Sequence, residues 1–163
     1  MEHGAGPAWA LALEQSGLAQ AIRESVWIYP SLNLAHVMAI AMLVGAIWVY
    51  DLRVLGLGRG VDIRSLSRLA LPLAATAIAV AVPTGFMLFI AEATAYFGNP
   101  VFLAKLGLIA TGLINVAFAH LGPYRRLAVW TMTAPPRAAR VHAFLSLGLW
   151  FSAAAAGRLI AYY

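Results

Sequence analysis

Four long apolar stretches dominate the chain and limit what it can fold into. They cover residues 26–50, 69–91, 101–120 and 141–160. About 20 predominantly apolar residues in a helix cross the ~30 Å hydrocarbon core of a bilayer. Only 10% of the residues are charged, whereas soluble domains carry about 25%. The sequence therefore predicts an all-α integral membrane protein, with residues 25–163 forming a four-helix transmembrane bundle.

The arginines are concentrated in two segments between these stretches. The segment Thr94–Pro100, after the second stretch, has no basic residue. Short loops rich in arginine stay in the cytoplasm, so we predict that both termini lie outside the cytoplasm. The arginines that set the topology then account for the net charge of +5, so the charge does not indicate nucleic-acid binding and we expect none. The arginines that follow the first and third stretches are Arg53, Arg59, Arg64, Arg68, Arg125, Arg126, Arg137 and Arg140.

Residues 1–24 precede the first span and are predicted to contain one amphipathic helix over residues 8–24. Leu11, Leu18 and Ile22 share one face of it, as expected for a helix lying on the outer membrane surface. The alternative is a helix that docks a partner protein.

Two local patterns predict how the spans end. Asp51 and Arg53 close the first span and are predicted to pair. Gly98 ends one helix, Asn99 caps the next and Pro100 occupies its first turn. Spans two and three should then form a tight antiparallel hairpin.

No enzyme motif is present: the sequence has no phosphate loop, GxSxG or HExxH, and no cysteine. Ionisable groups at membrane depth are therefore the best functional candidates. Lys105 lies in the first turns of span three, where the helix dipole disfavours a cation, and is predicted to form an ion pair with Glu92. The alternative is that Lys105 holds an anionic or quinone-type ligand. Arg158 lies near the end of its helix, where the dipole favours it.

The histidines are the other candidates. His120 ends span three and His142 begins span four at the same membrane level. Two facing imidazoles in a helical bundle can ligate a b-type haem; the other interpretation is that both are polar residues at helix ends. His36, the remaining candidate ligand, lies deeper and is expected to hydrogen-bond within the bundle, with Asn115 as a candidate partner.

Several segments resemble a family of small four-helix bacterial inner-membrane proteins, a domain of unknown function. They are residues 21–56, Gly98-Asn99-Pro100 with Lys105, LINVAFAH at 113–120 and AAGRLIAYY at 155–163. The resemblance covers nearly the whole chain. It implies the architecture and a location in the bacterial inner membrane, where both termini would be periplasmic. More distantly, the pattern is similar to copper-resistance membrane proteins of the D type and to four-helix b-type cytochromes. The chain lacks the four paired histidines of a two-haem cytochrome and the methionine-rich outer segments of copper handling.

Three functions follow as expectations. The first is a non-enzymatic membrane subunit or accessory protein, embedded in the bilayer and acting with a membrane protein partner or as a homo-oligomer. The second is electron transfer linked to haem b or quinone. The third is a small transporter or metal-handling protein.

Overall fold

The computed structural model describes residues 7–125 and 134–162 of the 163-residue chain. Residues 1–6 of the predicted N-terminal segment and Arg126 lie outside this part. Within it, all regular structure is helical. The α-helices are α1 (Ala8–Glu14), α2 (Gly17–Glu24), α3 (Ile28–Leu55), α4 (Ile63–Ala91), α5 (Ala93–Gly98), α6 (Pro100–Leu121) and α7 (Arg137–Leu159), followed by a 3₁₀ turn at Ile160–Tyr162.

Three of these helices, α3, α4 and α6, are long and apolar enough to cross a membrane. Their mean hydropathies are 2.0, 2.1 and 1.9, which indicates a membrane protein. Helix α7 has 23 residues but carries Arg137, Arg140 and Arg158, so its length and apolarity do not by themselves identify a span. The fourth span therefore stays a prediction.

The predicted turn before α6 is confirmed. The Asn99 side chain accepts hydrogen bonds from the backbone amides of Val101 and Phe102, at 2.9 and 3.3 Å, and Pro100 occupies the first turn. At the opposite end of the bundle, Asp62 caps α4 by accepting from the Ser65 amide at 2.7 Å. Each cap satisfies amides that a helix start leaves without partners.

The prediction that spans two and three form a tight hairpin is wrong. Helix α4 packs mainly on α3, α6 mainly on α7, and α3 also packs on α7, whereas α4 and α6 pack far less closely. The short helix α5 separates them along the chain. They meet through side chains: the rings of Phe89 and Phe102 stack with centroids 5.5 Å apart, and rings of this size hold two backbones apart.

The N-terminal segment is two helices, α1 and α2, rather than the single helix predicted. Ser16 interrupts it and caps α2 by accepting from the Ala19 amide at 3.3 Å. Both helices pack on the junction of α4 and α5, where Ala19 and Ile22 are buried against Ile90 and Ala91. This junction marks the end of the bundle that we call the N-terminal end.

Two polar contacts fix the segment there. The Glu14 carboxylate accepts from the Thr94 hydroxyl at 2.7 Å and from its amide at 3.1 Å. These bonds hold the pKa of Glu14 below its usual value. Arg23 donates to the carbonyls of Ala91, at 2.7 Å, and Glu14, at 2.8 Å.

The opposite end, where α3 ends and α4 begins, is called the arginine end. Tyr50, Val54 and Ile63 form a buried cluster with small residues of α4 and α7. Arg53 does not pair with Asp51 as predicted; it donates to the carbonyl of Val61 at 2.6 Å. Helix α3 continues to Leu55, so Asp51 lies inside the helix on a different face from the loop that Arg53 binds.

Candidate functional site

A cavity of about 190 Å³ lies among the four long helices, toward the arginine end. Its apolar wall comes mainly from α3, α4 and α6. Its polar lining is unusual for the interior of so apolar a chain, because polar groups in apolar surroundings are costly without partners. The polar and aromatic lining residues are Tyr50 and Asp51 of α3, Asn115 and His120 of α6, Tyr124, and His142, Ser146 and Trp150 of α7.

Asp51 is the acidic group of this cavity and is 3% exposed. The Ser146 hydroxyl of the facing helix α7 donates a hydrogen bond to its carboxylate. The other oxygen, Oδ2, has no hydrogen-bond partner within the described residues. A carboxylate can accept several hydrogen bonds, so Asp51, a residue of the cavity wall, has a buried acceptor without a partner in this part of the chain.

Two further lining residues have donors without partners. Tyr50 is 3% exposed and Trp150 is 5% exposed. Neither the Tyr50 hydroxyl nor the Trp150 indole N–H finds a partner in the part of the chain that the structure describes. Most buried polar side chains in native proteins are hydrogen-bonded, so these three groups, on residues that line one cavity, make it the candidate site.

His142 lies in the cavity wall and forms a reciprocal pair with Asn115. The Asn115 amide donates to the His142 carbonyl at 3.0 Å, and the His142 ring donates from Nδ1 to the Asn115 Oδ1 at 2.7 Å. A neutral imidazole that donates from Nδ1 has an acceptor lone pair on Nε2. The pair joins α6 to α7 and fixes the orientation of the ring.

His120 lines the same cavity from α6, so the structure brings His120 and His142 to one cavity. Its Nδ1 donates to the Val116 carbonyl of its own helix at 3.0 Å. The ring is exposed and lies edge-on to Tyr124, with centroids 5.4 Å apart. Burial raises the pKa of the Tyr124 phenol above its usual range, so this ring stays neutral.

His36 lies elsewhere. Its Nδ1 lies 3.0 Å from the Ala81 carbonyl and 3.1 Å from the Thr84 hydroxyl, and its ring fills the space where a side chain would stand at Gly85. The prediction that Asn115 would be its partner is wrong, because Asn115 faces His142. His36 instead packs on the turn of α4 next to Pro83, where the Thr84 hydroxyl also donates to the Val80 carbonyl at 2.7 Å.

The structure does not bring Glu92 and Lys105 together. They form no ion pair within the described residues: Glu92 is exposed at the end of α4, and Lys105 extends toward α7. Its Nζ lies 3.5 Å from the position of a β-carbon at Gly157. The reason is the packing of α6 on α7 rather than on α4. Arg158 is exposed and donates to the Tyr162 hydroxyl at 3.3 Å.

The sequence interpretation missed Asp51, Tyr50 and Trp150. A signal for Asp51 was present: Leu43, Ile47 and Val54 recur at spacings of four and seven residues on one face of α3. Asp51 is four residues after Ile47 and interrupts that apolar stripe. An acidic residue on the buried stripe of a span is a functional candidate.

These cavity residues belong to a stretch that matches a known family model. The model of a family of unknown function, DUF6644, matches residues 16–163. The chain belongs to this family. The DUF6644 match confirms the resemblance to an uncharacterised family, and it includes every residue that lines the cavity. No curated protein and no solved structure matches the chain.

Proposed function

We propose that this DUF6644 protein is a four-span inner-membrane protein that binds the head group of a quinone in the cavity at the arginine end. In this proposal α7 is the fourth span. Its support is the packing of α7 against both α3 and α6 and the position of its three arginines near its two ends, where long basic side chains reach the interface. The arginine-rich segments favour a cytoplasmic arginine end.

The observation that carries the proposal is the set of three open groups around the cavity: Tyr50 Oη, Trp150 Nε1 and Asp51 Oδ2. A quinone has two carbonyl oxygens, which only accept hydrogen bonds. The phenol and the indole supply two donors for them. The reduced quinol has hydroxyl groups, which can donate to the Asp51 carboxylate.

The size of the cavity favours one ring over a porphyrin. A cavity of about 150 Å³ accommodates benzene, so 190 Å³ fits the single ring of a quinone head. The imidazoles of His120 and His142 could each offer Nε2 to a metal, since each donates from Nδ1. A haem, with four linked pyrrole rings, does not fit a space of this volume.

The haem alternative has a direct test. We expect the protein, expressed with ample haem and purified, to show no Soret band that depends on the inner histidines. A Soret band lost in His120→Ala or His142→Ala, but kept in His36→Ala, would restore haem as the ligand.

The proposed role is that of a binding subunit. Conversion between quinone and quinol transfers two electrons and two protons, so the electrons would come from or go to a redox protein in the same membrane. The sides of the long helices carry many exposed apolar residues, which suit both lipid contact and a membrane partner. The proposal therefore combines two of the expected functions, a membrane subunit that acts with a partner and quinone-linked electron transfer.

The proposal is tested by titrating the purified protein with decylbenzoquinone by calorimetry. A net hydrogen bond contributes about 0.5–1.5 kcal/mol, so Tyr50→Phe and Trp150→Phe should each raise the Kd about three- to tenfold. Trp48→Phe is the matched control, because the Trp48 N–H also finds no partner among the described residues and Trp48 does not line the cavity. Equal affinities for all four proteins would contradict the proposal.

A further inference from the structure

The cavity has one weakly packed side, formed by α4 and α6. The other neighbouring long helices pack closely in the pairs α3 with α4, α3 with α7, and α6 with α7. Helices α4 and α6 both line the cavity without comparable backbone packing between them. At the N-terminal end the stacked rings of Phe89 and Phe102 join α4 to α6. The weak packing between the two helices therefore lies beyond this aromatic contact.

Exposure of the lining residues identifies the same side. On α3 and α7 the polar lining residues Tyr50, Asp51 and Ser146 are buried. On α6, Leu113 is 46% exposed although it lines the cavity. On α4 the lining residue Ile78 is half-buried. The two long helices that pack least closely on each other therefore carry partly exposed apolar side chains in the cavity wall.

The arginine end offers a poorer route. The buried cluster that contains Tyr50, Val54 and Ile63 packs there, with Tyr124 against it. The rings of Tyr50 and Tyr124 meet edge to face with centroids 5.8 Å apart. His120, which also lines the cavity, is exposed near this end, so entry from the aqueous phase is the competing route.

We infer that the ligand enters laterally from the bilayer, between α4 and α6, and that it is a molecule with a polar ring and an apolar tail. The inference rests on the proposed quinone site and adds the route and the tail. The ring would lie against the open groups of the cavity while the tail remains between Ile78 and Leu113. Apolar mouth residues disfavour a charged solute, because it would lose its hydration without compensation.

The experiment uses the full chain in phosphatidylcholine nanodiscs and follows quenching of tryptophan fluorescence after rapid mixing. The tailed probe is decylbenzoquinone and the tailless, charged probe is a sulfonated quinone. The double variant Ile78→Phe/Leu113→Phe fills the mouth. The matched control is Leu145→Phe, because Leu145 is 47% exposed on α7 and does not line the cavity.

We expect the tailed quinone to bind and the sulfonated quinone not to bind. Overpacking of the mouth should slow association of the tailed probe about tenfold, with a much smaller change in Kd, and the control should behave as wild type. Saturable binding with an unchanged association rate in the double variant would overturn the lateral route and leave the quinone site standing. If the sulfonated quinone binds as fast as decylbenzoquinone, the lateral route is also overturned and the quinone site stands. If neither probe shows saturable binding, both proposals are overturned.

Discussion

Removal of the Tyr50 hydroxyl should stabilise the protein and weaken ligand binding at the same time. The hydroxyl is buried and has no partner within the described residues. Burying such a group costs about 1–3 kcal/mol in protein mutational data. Tyr50→Phe removes that cost and keeps the ring that packs on Tyr124, so we expect the free energy of unfolding to rise by about 1 kcal/mol. For a chain of this size that raises Tm by about 2–4 °C.

The ligand should reduce this advantage. A ligand present at 100 times its Kd stabilises the native state by about 2.7 kcal/mol. If Tyr50→Phe raises the Kd tenfold, the same quinone concentration stabilises the variant by only about 1.4 kcal/mol. The variant should therefore be more stable than wild type without quinone and about equal to it with quinone.

Thermal unfolding in detergent, followed by circular dichroism with and without decylbenzoquinone, measures both effects. Tyr162→Phe is the surface comparison: it removes an exposed hydroxyl that accepts a 3.3 Å hydrogen bond from Arg158, and such surface changes stay within about 0.5 kcal/mol. If Tyr50→Phe lowers Tm without quinone, the hydroxyl has a structural role. If quinone raises Tm equally in both proteins, Tyr50 does not contact the ligand.

Three further predictions concern the scaffold. Gly85→Ala should destabilise the protein by about 1–3 kcal/mol, because the new β-carbon would lie 2.7 Å from the His36 ring. Gly45→Ala should stabilise α3 by about 0.5–1 kcal/mol, because no described atom lies within 4 Å of its β-carbon position. Thermal unfolding of the two variants and wild type measures both effects. Because its hydrogen bonds lower the pKa of Glu14 in the folded state, its stabilisation should be complete at neutral pH and be lost on acidification below its ordinary pKa of 4.5; an unchanged acid transition in Glu14→Gln would contradict this. In intact cells, an impermeant thiol reagent should label a cysteine at Asn99 but not one at Asp62, and the reverse pattern would invert the topology.

Hydropathy and capping patterns were enough to predict much of the fold. The three apolar helices α3, α4 and α6 agree with the predicted stretches, because a continuous apolar run has few alternatives in a bilayer. The cap at Asn99 was equally clear, since it depends on three adjacent residues. Local signals of this kind need no knowledge of the tertiary packing.

Helix partners were not predictable in the same way. Spans joined by a short turn were expected to pack together, but α6 packs on α7, and Lys105 consequently faces Gly157 rather than Glu92. For the same reason, because helix partners are not encoded locally, the sequence does not predict that Asp51 is buried. Its position next to an arginine loop suggests a surface pair, whereas it is buried and interacts with Ser146 of α7, which is distant in sequence.

The histidines show where sequence spacing helps and where it stops. His120 and His142 were placed at one membrane level by counting from the helix ends, and both line the cavity. Whether they hold a ligand stays a prediction. Their hydrogen-bond partners and the volume between them follow from packing, which spacing does not encode.

The quinone site is tested most directly by the position of the quencher. Of the five tryptophans, Trp150 lines the cavity and Trp9 packs on Phe89 and Phe97 at the N-terminal end. One protein that retains only Trp150 and a second that retains Trp9 and Trp150, with phenylalanine at the remaining positions, both keep the cavity donor. They can be titrated with decylbenzoquinone in nanodiscs, and the difference between them gives the quenching of Trp9. We predict saturable, strong quenching of Trp150 and only weak, linear quenching of Trp9. Equal quenching of both residues, or saturable quenching of Trp9 alone, would contradict the assignment of the site to this cavity.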